Sequence, residues 1–249
     1  MYVTTSNELT EANIEVLTGS NPNYSDSDLV SSSFSEIYFF NTTQNYVSVE
    51  LTINSPDYIA LGGINVADRA QYILIQYYNG SAYVDERYYN NPKDTVLVHR
   101  VINSATKYKV VIYKPDASDV VSIANIAAGD LWELPFSQPA GGFADPLYAP
   151  ALKSRTQQYK GMPTVTIKEQ VSTDVTIDLQ NILTTDIQSR WLDFQTFAIK
   201  NNVYVLRDTD DAQNAFYLYD VTPMKPVRSS KTSALYSASI SGTAYTGLV

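Results

Sequence analysis

Short segments in which apolar and polar residues alternate follow one another through the first half of this 249-residue chain. The clearest lies at 46–53, where every second residue is apolar, as in a strand with one buried face. Asn79-Gly80 stands between two such segments, and this dipeptide favours a tight β-hairpin. No helical pattern interrupts the series, so residues 1–134 are predicted to form a β-sandwich of the jelly-roll type.

The last hundred residues differ because they contain one amphipathic helix pattern, at 185–200. Its apolar residues fall on one stripe of a helix: Ile187, Trp191, Phe194 and Ala198. Thr184 or Thr185 is the predicted N-cap. Strand patterns precede and follow the helix, so residues 164–249 are predicted to form a second β-sandwich domain carrying one α-helix.

Residues 135–163 hold five of the eleven prolines of the chain. Proline lacks a backbone donor and blocks helix formation, so this segment is predicted to be an extended connector. Its apolar side chains are too numerous for a free linker: Phe136, Phe143, Leu147 and Tyr148. We expect them to hold the connector against a domain or a neighbouring subunit.

The formal net charge of −9 is concentrated in residues 1–60, which contain no lysine or arginine. This acidic part disfavours nucleic acid as a main partner, since phosphates would be repelled. This part either contacts a basic surface on another protein or forms an acidic face that is exposed to solvent. No run of 18 apolar residues occurs, so no membrane insertion is predicted. The first residues lack the basic and apolar regions of a signal peptide, which favours synthesis in a cytoplasm.

The residues 58–65, 70–80 and 121–132 carry a resemblance to a known family. Their order of strand, Asn-containing turn, strand and Asn-Gly hairpin resembles the discoidin or galactose-binding-like jelly roll. The usual cysteine pair of that family is absent, because the chain has no cysteine.

The layout of the whole chain is similar to that of bacteriophage tail-associated structural proteins. A jelly roll ends in residues 126–135, a Pro-rich strap follows, and a helix-bearing β-domain, similar to tail-tube and distal-tail modules, closes the chain. The resemblance implies a virion component, made in the host cytoplasm, that packs in a ring or stack with the jelly roll projecting. Its partners would then be other virion proteins and further copies of itself.

Assembly of this kind requires contact residues. The only basic cluster, at 224–231, suggests electrostatic contacts between neighbours, although a solvated loop explains it equally well. The predicted interface residues are Trp132, Phe136, Phe143, Tyr148, Lys225, Arg228 and Lys231.

A cluster of aromatic residues around the Asn79-Gly80 hairpin offers an alternative function. It comprises Tyr77, Tyr78, Tyr83, Tyr88 and Tyr89. Such a patch stacks on sugar rings, as in a carbohydrate-binding module for host-surface glycans, or forms a subunit contact. Ordinary cross-strand aromatic pairing explains it as well.

An enzyme is the third class of function, and the sequence does not favour it. A polysaccharide-cleaving enzyme needs two carboxylates at one site, whereas the adjacent Asp85 and Glu86 point to opposite faces of a strand. The single histidine, His99, alternates with Leu97 and Val101, which indicates a structural or surface role. We therefore predict no catalytic residue and no cofactor.

Two oxygen-rich segments, 21–28 and 208–214, could bind a cation. The second departs from the calcium-loop pattern, with Gln213 where glycine is needed and Tyr219 where a bidentate glutamate belongs. Solvated turns explain both segments, so no metal ligand is predicted.

Overall fold

The computed structural model of the protein describes residues 1–31, 37–64, 71–90, 92, 96–134, 151–159, 162–171, 173–228 and 234–245. The predicted contact residues Phe136, Phe143, Tyr148 and Lys231 lie outside these ranges. Among the described residues, no helix has the length and apolarity needed to cross a membrane.

The strands are numbered in chain order. They are β1 (Tyr2–Thr4), β2 (Ile14–Thr18), β3 (Tyr38–Phe39), β4 (Tyr46–Thr52), β5 (Tyr58–Gly62), β6 (Tyr72–Tyr78), β7 (Tyr83–Asn90), β8 (Leu97–Arg100), β9 (Lys107–Tyr113), β10 (Ser122–Ile123), β11 (Asn125–Gly129), β12 (Leu131–Glu133), β13 (Ala151–Tyr159), β14 (Met162–Val171), β15 (Thr173–Leu183), β16 (Val203–Leu206), β17 (Ala215–Pro223), β18 (Val227–Arg228) and β19 (Leu235–Tyr245). Glu11–Asn13 and Asp26–Val30 form 3-10 turns, and one longer helix, α1, spans residues 184–198. The described part of the chain is mainly β with one helix longer than a turn, which confirms the predicted fold class.

The first layer is a five-stranded antiparallel sheet in the order β2-β4-β9-β6-β7. Its inner face carries the alternating apolar residues that the sequence predicted, among them Val47, Val49 and Leu51, all buried. Bulky β-branched side chains at every second position suit such a half-buried sheet.

The second layer is a three-stranded sheet in the order β11-β5-β8. Ile59 and Leu61 of β5 face the five-stranded sheet and close the first sandwich core. Tyr58 and Ala60, one position out of phase, face the opposite way into a second core. All five residues of β5 are buried because both faces of this sheet are covered.

The third layer is a seven-stranded sheet in the order β12-β1-β16-β17-β19-β15, with β18 paired to β19. Leu206 and Tyr217 of this sheet pack on Tyr58 and Ala60 of the three-stranded sheet. Helix α1 covers the opposite face through Trp191 and other apolar residues. The described layers thus run from the five-stranded sheet, through two further sheets, to the helix.

The seven-stranded sheet joins residues from both sides of the predicted boundary at 134. β1 pairs with β12 on one side and with β16 on the other, so Tyr2 lies opposite both Glu133 and Leu206. A Cβ at Gly129, the last residue of β11, would lie 2.8 Å from the Ser6 carbonyl oxygen, so the two chain segments pass closely here. The limits 1–134, 135–163 and 164–249 stay a prediction, and the sheet pairing shows that residues on the two sides pack directly together.

Part of the predicted connector forms a hairpin. β13, at 151–159, pairs antiparallel with β14, with a register shift at Gln157 and Gln158. The backbone there is extended, as proline content suggested, but it is paired along its length.

Helix α1 begins differently from the sequence prediction. Leu183 occupies the N-cap position without a side-chain cap, so the prediction of Thr184 or Thr185 is wrong. The Thr184 hydroxyl donates instead to the Ala234 carbonyl at 2.8 Å, which links the helix start to the segment before β19. A π-helical turn at Ile187–Trp191 lies within the helix. Trp191, Phe194 and Ala198 are buried, which confirms most of the predicted stripe.

Candidate functional site

The outer face of the five-stranded sheet carries a row of tyrosines, which we call the tyrosine face: Tyr46, Tyr72, Tyr88 and Tyr113. Strand alternation places these residues outward, because their neighbours Val47, Ile73 and Ile112 fill the sandwich core. The antiparallel register sets Tyr113 directly opposite Tyr46 on one side and Tyr72 on the other.

The four rings are in contact from strand to strand. The ring centroids of Tyr46 and Tyr113 are 5.7 Å apart, those of Tyr113 and Tyr72 are stacked at 4.3 Å, and those of Tyr72 and Tyr88 are 5.7 Å apart. These separations are typical of favourable aromatic pairs. Tyr88, on the edge strand β7, is 48% exposed, and the other three are half-buried. The row therefore forms a continuous aromatic surface across four strands.

A β-bulge in β7 determines which side chains reach this face. Ile75 pairs with Arg87 and Gln76 pairs with Asp85, so Glu86 is the extra residue of the bulge. Asp85 is exposed on the outer side, whereas the Glu86 side chain is fully buried. The prediction that these two carboxylates do not share a site is confirmed.

Asp85 fixes the outer end of the tyrosine row. Its Oδ1 accepts a hydrogen bond from Gln76 Nε2 at 2.7 Å, and the Tyr88 hydroxyl donates to its Oδ2. The bonds from Tyr88 and Gln76 hold the pKa of Asp85 below its usual value. The same bond to Asp85 raises the pKa of Tyr88 to about 12, so the Tyr88 hydroxyl stays protonated at neutral pH.

A charged network lies on the same face beside the row. Glu50 accepts hydrogen bonds from Lys107 Nζ at 2.7 Å and from the Tyr83 hydroxyl. Burial raises the pKa of Glu50, but the bonds from Lys107 and Tyr83 outweigh it, so the pKa is lowered. Lys109 Nζ lies 3.7 Å from the Tyr83 ring centroid, in a cation–π contact. The face thus combines aromatic surface with hydrogen-bonding groups that are already positioned.

The structure divides the five tyrosines predicted around the hairpin between two faces. Tyr78, Tyr83 and Tyr88 lie on the outer side, with Tyr78 and Tyr83 in ring contact at 5.4 Å. Tyr77 and Tyr89 pack instead against the sandwich core. The hairpin itself is confirmed, with Gly80 at φ +95° and the Asn79 side chain accepting from Ser81 N and Ala82 N.

Three residues of the tyrosine face were missed by the sequence prediction: Tyr46, Tyr72 and Tyr113. Each follows or precedes a core residue in its strand, so alternation alone shows that they point outward. What alternation does not show is that β4, β9 and β6 are neighbours in the sheet. The row exists only because of that pairing and its register.

His99 lies on the inner side of β8 and joins the edges of two sheets. It is 2% exposed and shares a face with Leu97 and Val101, as the alternation along the strand predicted. Its Nε2 is 3.0 Å from Glu86 Oε1, and its Nδ1 is 2.7 Å from the Tyr89 hydroxyl. Since a carboxylate only accepts, His99 Nε2 carries a hydrogen and donates it to Glu86, while Nδ1 shares a hydrogen bond with the Tyr89 hydroxyl.

The described members of the predicted interface set fall into two groups. Trp132 is 3% exposed and packs its ring 6.1 Å from that of Trp191 in the core beneath the helix, so it is not available to another subunit. Lys225 and Arg228 are exposed, and Arg228 Nε donates to the Tyr236 hydroxyl at 3.0 Å.

The oxygen-rich loops use their side chains to cap their own backbone. Asp208 Oδ1 accepts from Asp210 N at 3.0 Å, and Asp28 Oδ2 accepts from Ser25 N at 3.0 Å. Asp26 Oδ2 accepts from Val16 N at 3.1 Å. Within the described ranges, no three His, Asp or Glu side chains converge as metal ligands would.

Comparisons with known proteins give matches among solved structures. No protein-family model matches the chain, and no curated protein matches it. A GH29 fucosidase of Ruminococcus gnavus in complex with fucose is 12% identical over 48% of this chain, with a TM-score of 0.41. The match spans 25% of the fucosidase chain, so it concerns a minor part of that enzyme.

Two smaller proteins match over nearly their whole length. Chitosan-binding module 1 from a chitosanase/glucanase of Paenibacillus sp. is 9% identical over 51% of this chain and 98% of its own, with a TM-score of 0.41. The module CpGH89CBM32-5 of Clostridium perfringens, in complex with GalNAc-β-1,3-galactose, is 11% identical over 49% of this chain and 98% of its own, with a TM-score of 0.38. Likenesses at these TM-scores carry no information on function. None of these three is a tail protein, and the resemblance to tail proteins stays a prediction.

Proposed function

We propose that this protein binds a glycan on the tyrosine face and has no catalytic role. The observation that supports the proposal is the unbroken row of four tyrosine rings on one outer sheet face, with centroid separations of 4.3–5.7 Å. The apolar faces of sugar rings stack on such rings, while the tyrosine hydroxyls and neighbouring polar groups bind sugar hydroxyls.

The dimensions of the row suit a short oligosaccharide. Three inter-strand steps of about 4.8 Å separate β4 from β7, which gives a length of about 14 Å. The rings already contact one another, so binding immobilises few additional side chains and costs little conformational entropy. Three polar residues lie beside the row: Asp85, Gln76 and Lys109. They supply hydrogen-bond donors and acceptors, with one negative and one positive charge among them.

No observation on the described residues favours assembly in a phage tail over glycan binding, so that function stays a prediction. The same face could pack on protein, because tyrosine is also common at protein interfaces. A test of the proposal therefore measures both glycan binding and oligomeric state.

Glycan binding is expected to depend on the rings of the tyrosine face. The full chain is screened on a glycan array, and the affinity for the best glycan is then measured by calorimetry. The double variant Tyr72→Ala/Tyr88→Ala removes two stacking rings at about 0.5–1.5 kcal/mol each, so the affinity falls by about fivefold to 150-fold. Tyr88→Phe keeps the ring and loses only the bond to Asp85, so it loses less.

Tyr236→Ala is the matched control, since Tyr236 lies on the seven-stranded sheet, away from the tyrosine face. It is expected to bind as the unchanged protein does. The glycan recovered from the complex should be intact, since no catalysis is proposed. Binding that survives the double substitution in a folded protein, or a chain that binds no glycan and self-associates through this face, would refute the proposal.

A further inference from the structure

Apart from the tyrosine face, a polar cleft of about 420 Å³ lies at the edge of the first sandwich, beside strand β7. Arg87 and Tyr89 of β7 form one wall, and His99 and Arg100 of β8 form the floor. Thr209 and Asp210, from the loop between β16 and β17, form the opposite wall. The cleft thus lies where the first sandwich meets the C-terminal strands.

The walls of this cleft are held in place by buried hydrogen bonds. Tyr89 is bonded to His99, and His99 to the fully buried Glu86, which also accepts from Ile102 N at 2.6 Å. On the other side, Val98 N donates to the Ala212 carbonyl at 2.9 Å, which attaches the loop to the free edge of β8. The separation of the two walls is therefore set before any ligand enters.

The two arginines of the cleft form no close ion pair with a described carboxylate. Within the described ranges, no carboxylate forms an ion pair with the guanidinium of Arg87 or Arg100. The Arg100 Cζ lies 5.6 Å from the centroid of the Tyr2 ring. Lys107, by contrast, pairs with Glu50. The cleft thus holds two arginines and one carboxylate, that of Asp210, in a chain of net charge −9.

We propose that this cleft binds a carboxylate-bearing sugar, of the hexuronate class, with its carboxylate on Arg87 and Arg100. A guanidinium presents paired N–H donors that match the two oxygens of a carboxylate. Asp210 and the Thr209 hydroxyl, on the opposite wall, accept hydrogen bonds from the hydroxyls at the other end of the ring. Asp210 also repels a second negative charge, so the cleft selects a single anionic group joined to a polyol. The proposal does not depend on glycan binding at the tyrosine face.

The single histidine of the chain allows a direct test, because its ring gives one resolved set of proton signals in the floor of the cleft. The folded full chain is titrated with galacturonate at constant pH and ionic strength, and the His99 signals are followed by NMR. They are expected to shift and to saturate at millimolar concentrations. In Arg87→Gln/Arg100→Gln the affinity should fall by about tenfold or more.

Three controls decide the outcome. Galactose, which lacks the carboxylate, should leave the His99 signals in place, and Arg228→Gln, a distant exposed arginine, should bind as the unchanged protein does. Both variants are checked by thermal denaturation. Equal shifts with galactose, a galacturonate shift that persists without the two arginines, or no shift at all would overturn the proposal. Tighter binding of inorganic sulfate than of galacturonate would refute recognition of the hydroxyl end.

Discussion

Trp191→Ala is expected to lower the free energy of unfolding by about 3–5 kcal/mol. The Trp191 side chain is 0% exposed, and its ring lies 5.7 Å from that of Phe194 and 6.1 Å from that of Trp132. Truncation leaves a cavity between the helix and the seven-stranded sheet, which the two remaining rings cannot fill. Its indole Nε1 has no hydrogen-bond partner among the described residues, so the loss arises from packing.

Leu192→Ala is the matched control, because Leu192 follows Trp191 on the same helix but is 55% exposed. Urea denaturation followed by tryptophan fluorescence and circular dichroism measures both variants. Leu192→Ala should change the free energy of unfolding by no more than about 0.5 kcal/mol. Equal losses in the two variants would contradict the docking of α1 through its Trp191 side.

Glu86→Ala is expected to give the second large loss of stability. The substitution leaves the buried donor His99 Nε2 without its acceptor, and it also removes the acceptor of the exposed Ile102 N. An unsatisfied buried donor costs about 1–3 kcal/mol, so the free energy of unfolding falls by about that amount. Asp85→Asn, in the adjacent exposed residue, is the control and should cost far less.

The contribution of Glu86 depends on pH with a definite sign. Burial raises the pKa of Glu86, but the hydrogen bonds from His99 and Ile102 N outweigh it, so the pKa lies below the ordinary 4.5. A carboxyl group with a lowered pKa stabilises the folded state above its unfolded pKa, and that stabilisation is lost as pH falls through the folded pKa. The stability difference between the unchanged protein and Glu86→Gln should therefore shrink as the pH falls below 4.5. A stability difference that increases at acid pH would contradict the claim that Glu86 is ionised in the folded protein.

The elements that depend on local pattern were predictable from the sequence. β4 followed from the alternation of Val47, Val49 and Leu51, and the β6–β7 hairpin from Asn79-Gly80. Most of the α1 stripe followed from the spacing of its apolar residues. Each of these signals lies within a few residues, where burial on one face fixes the periodicity.

The features that depend on distant pairing were not predictable. β1 has three residues, and nothing local shows that Tyr2 pairs with Leu206 at the other end of the chain. Trp132 was predicted as an interface residue, whereas its ring packs on that of Trp191, which lies far along the sequence. The tyrosine face likewise depends on sheet order and on the bulge at Glu86, which the alternation within single strands does not determine.

The location of the bound glycan tests the central claim most directly. Backbone and side-chain signals are assigned for the isotope-labelled chain, and the glycan selected on the array is added stepwise. The predicted result is that the largest chemical-shift changes fall on Tyr46, Tyr72, Tyr88 and Tyr113, with smaller ones on Asp85 and Lys109. Changes confined to the loops at the sheet ends or to the seven-stranded sheet, with these signals unmoved, would contradict glycan binding on the tyrosine face.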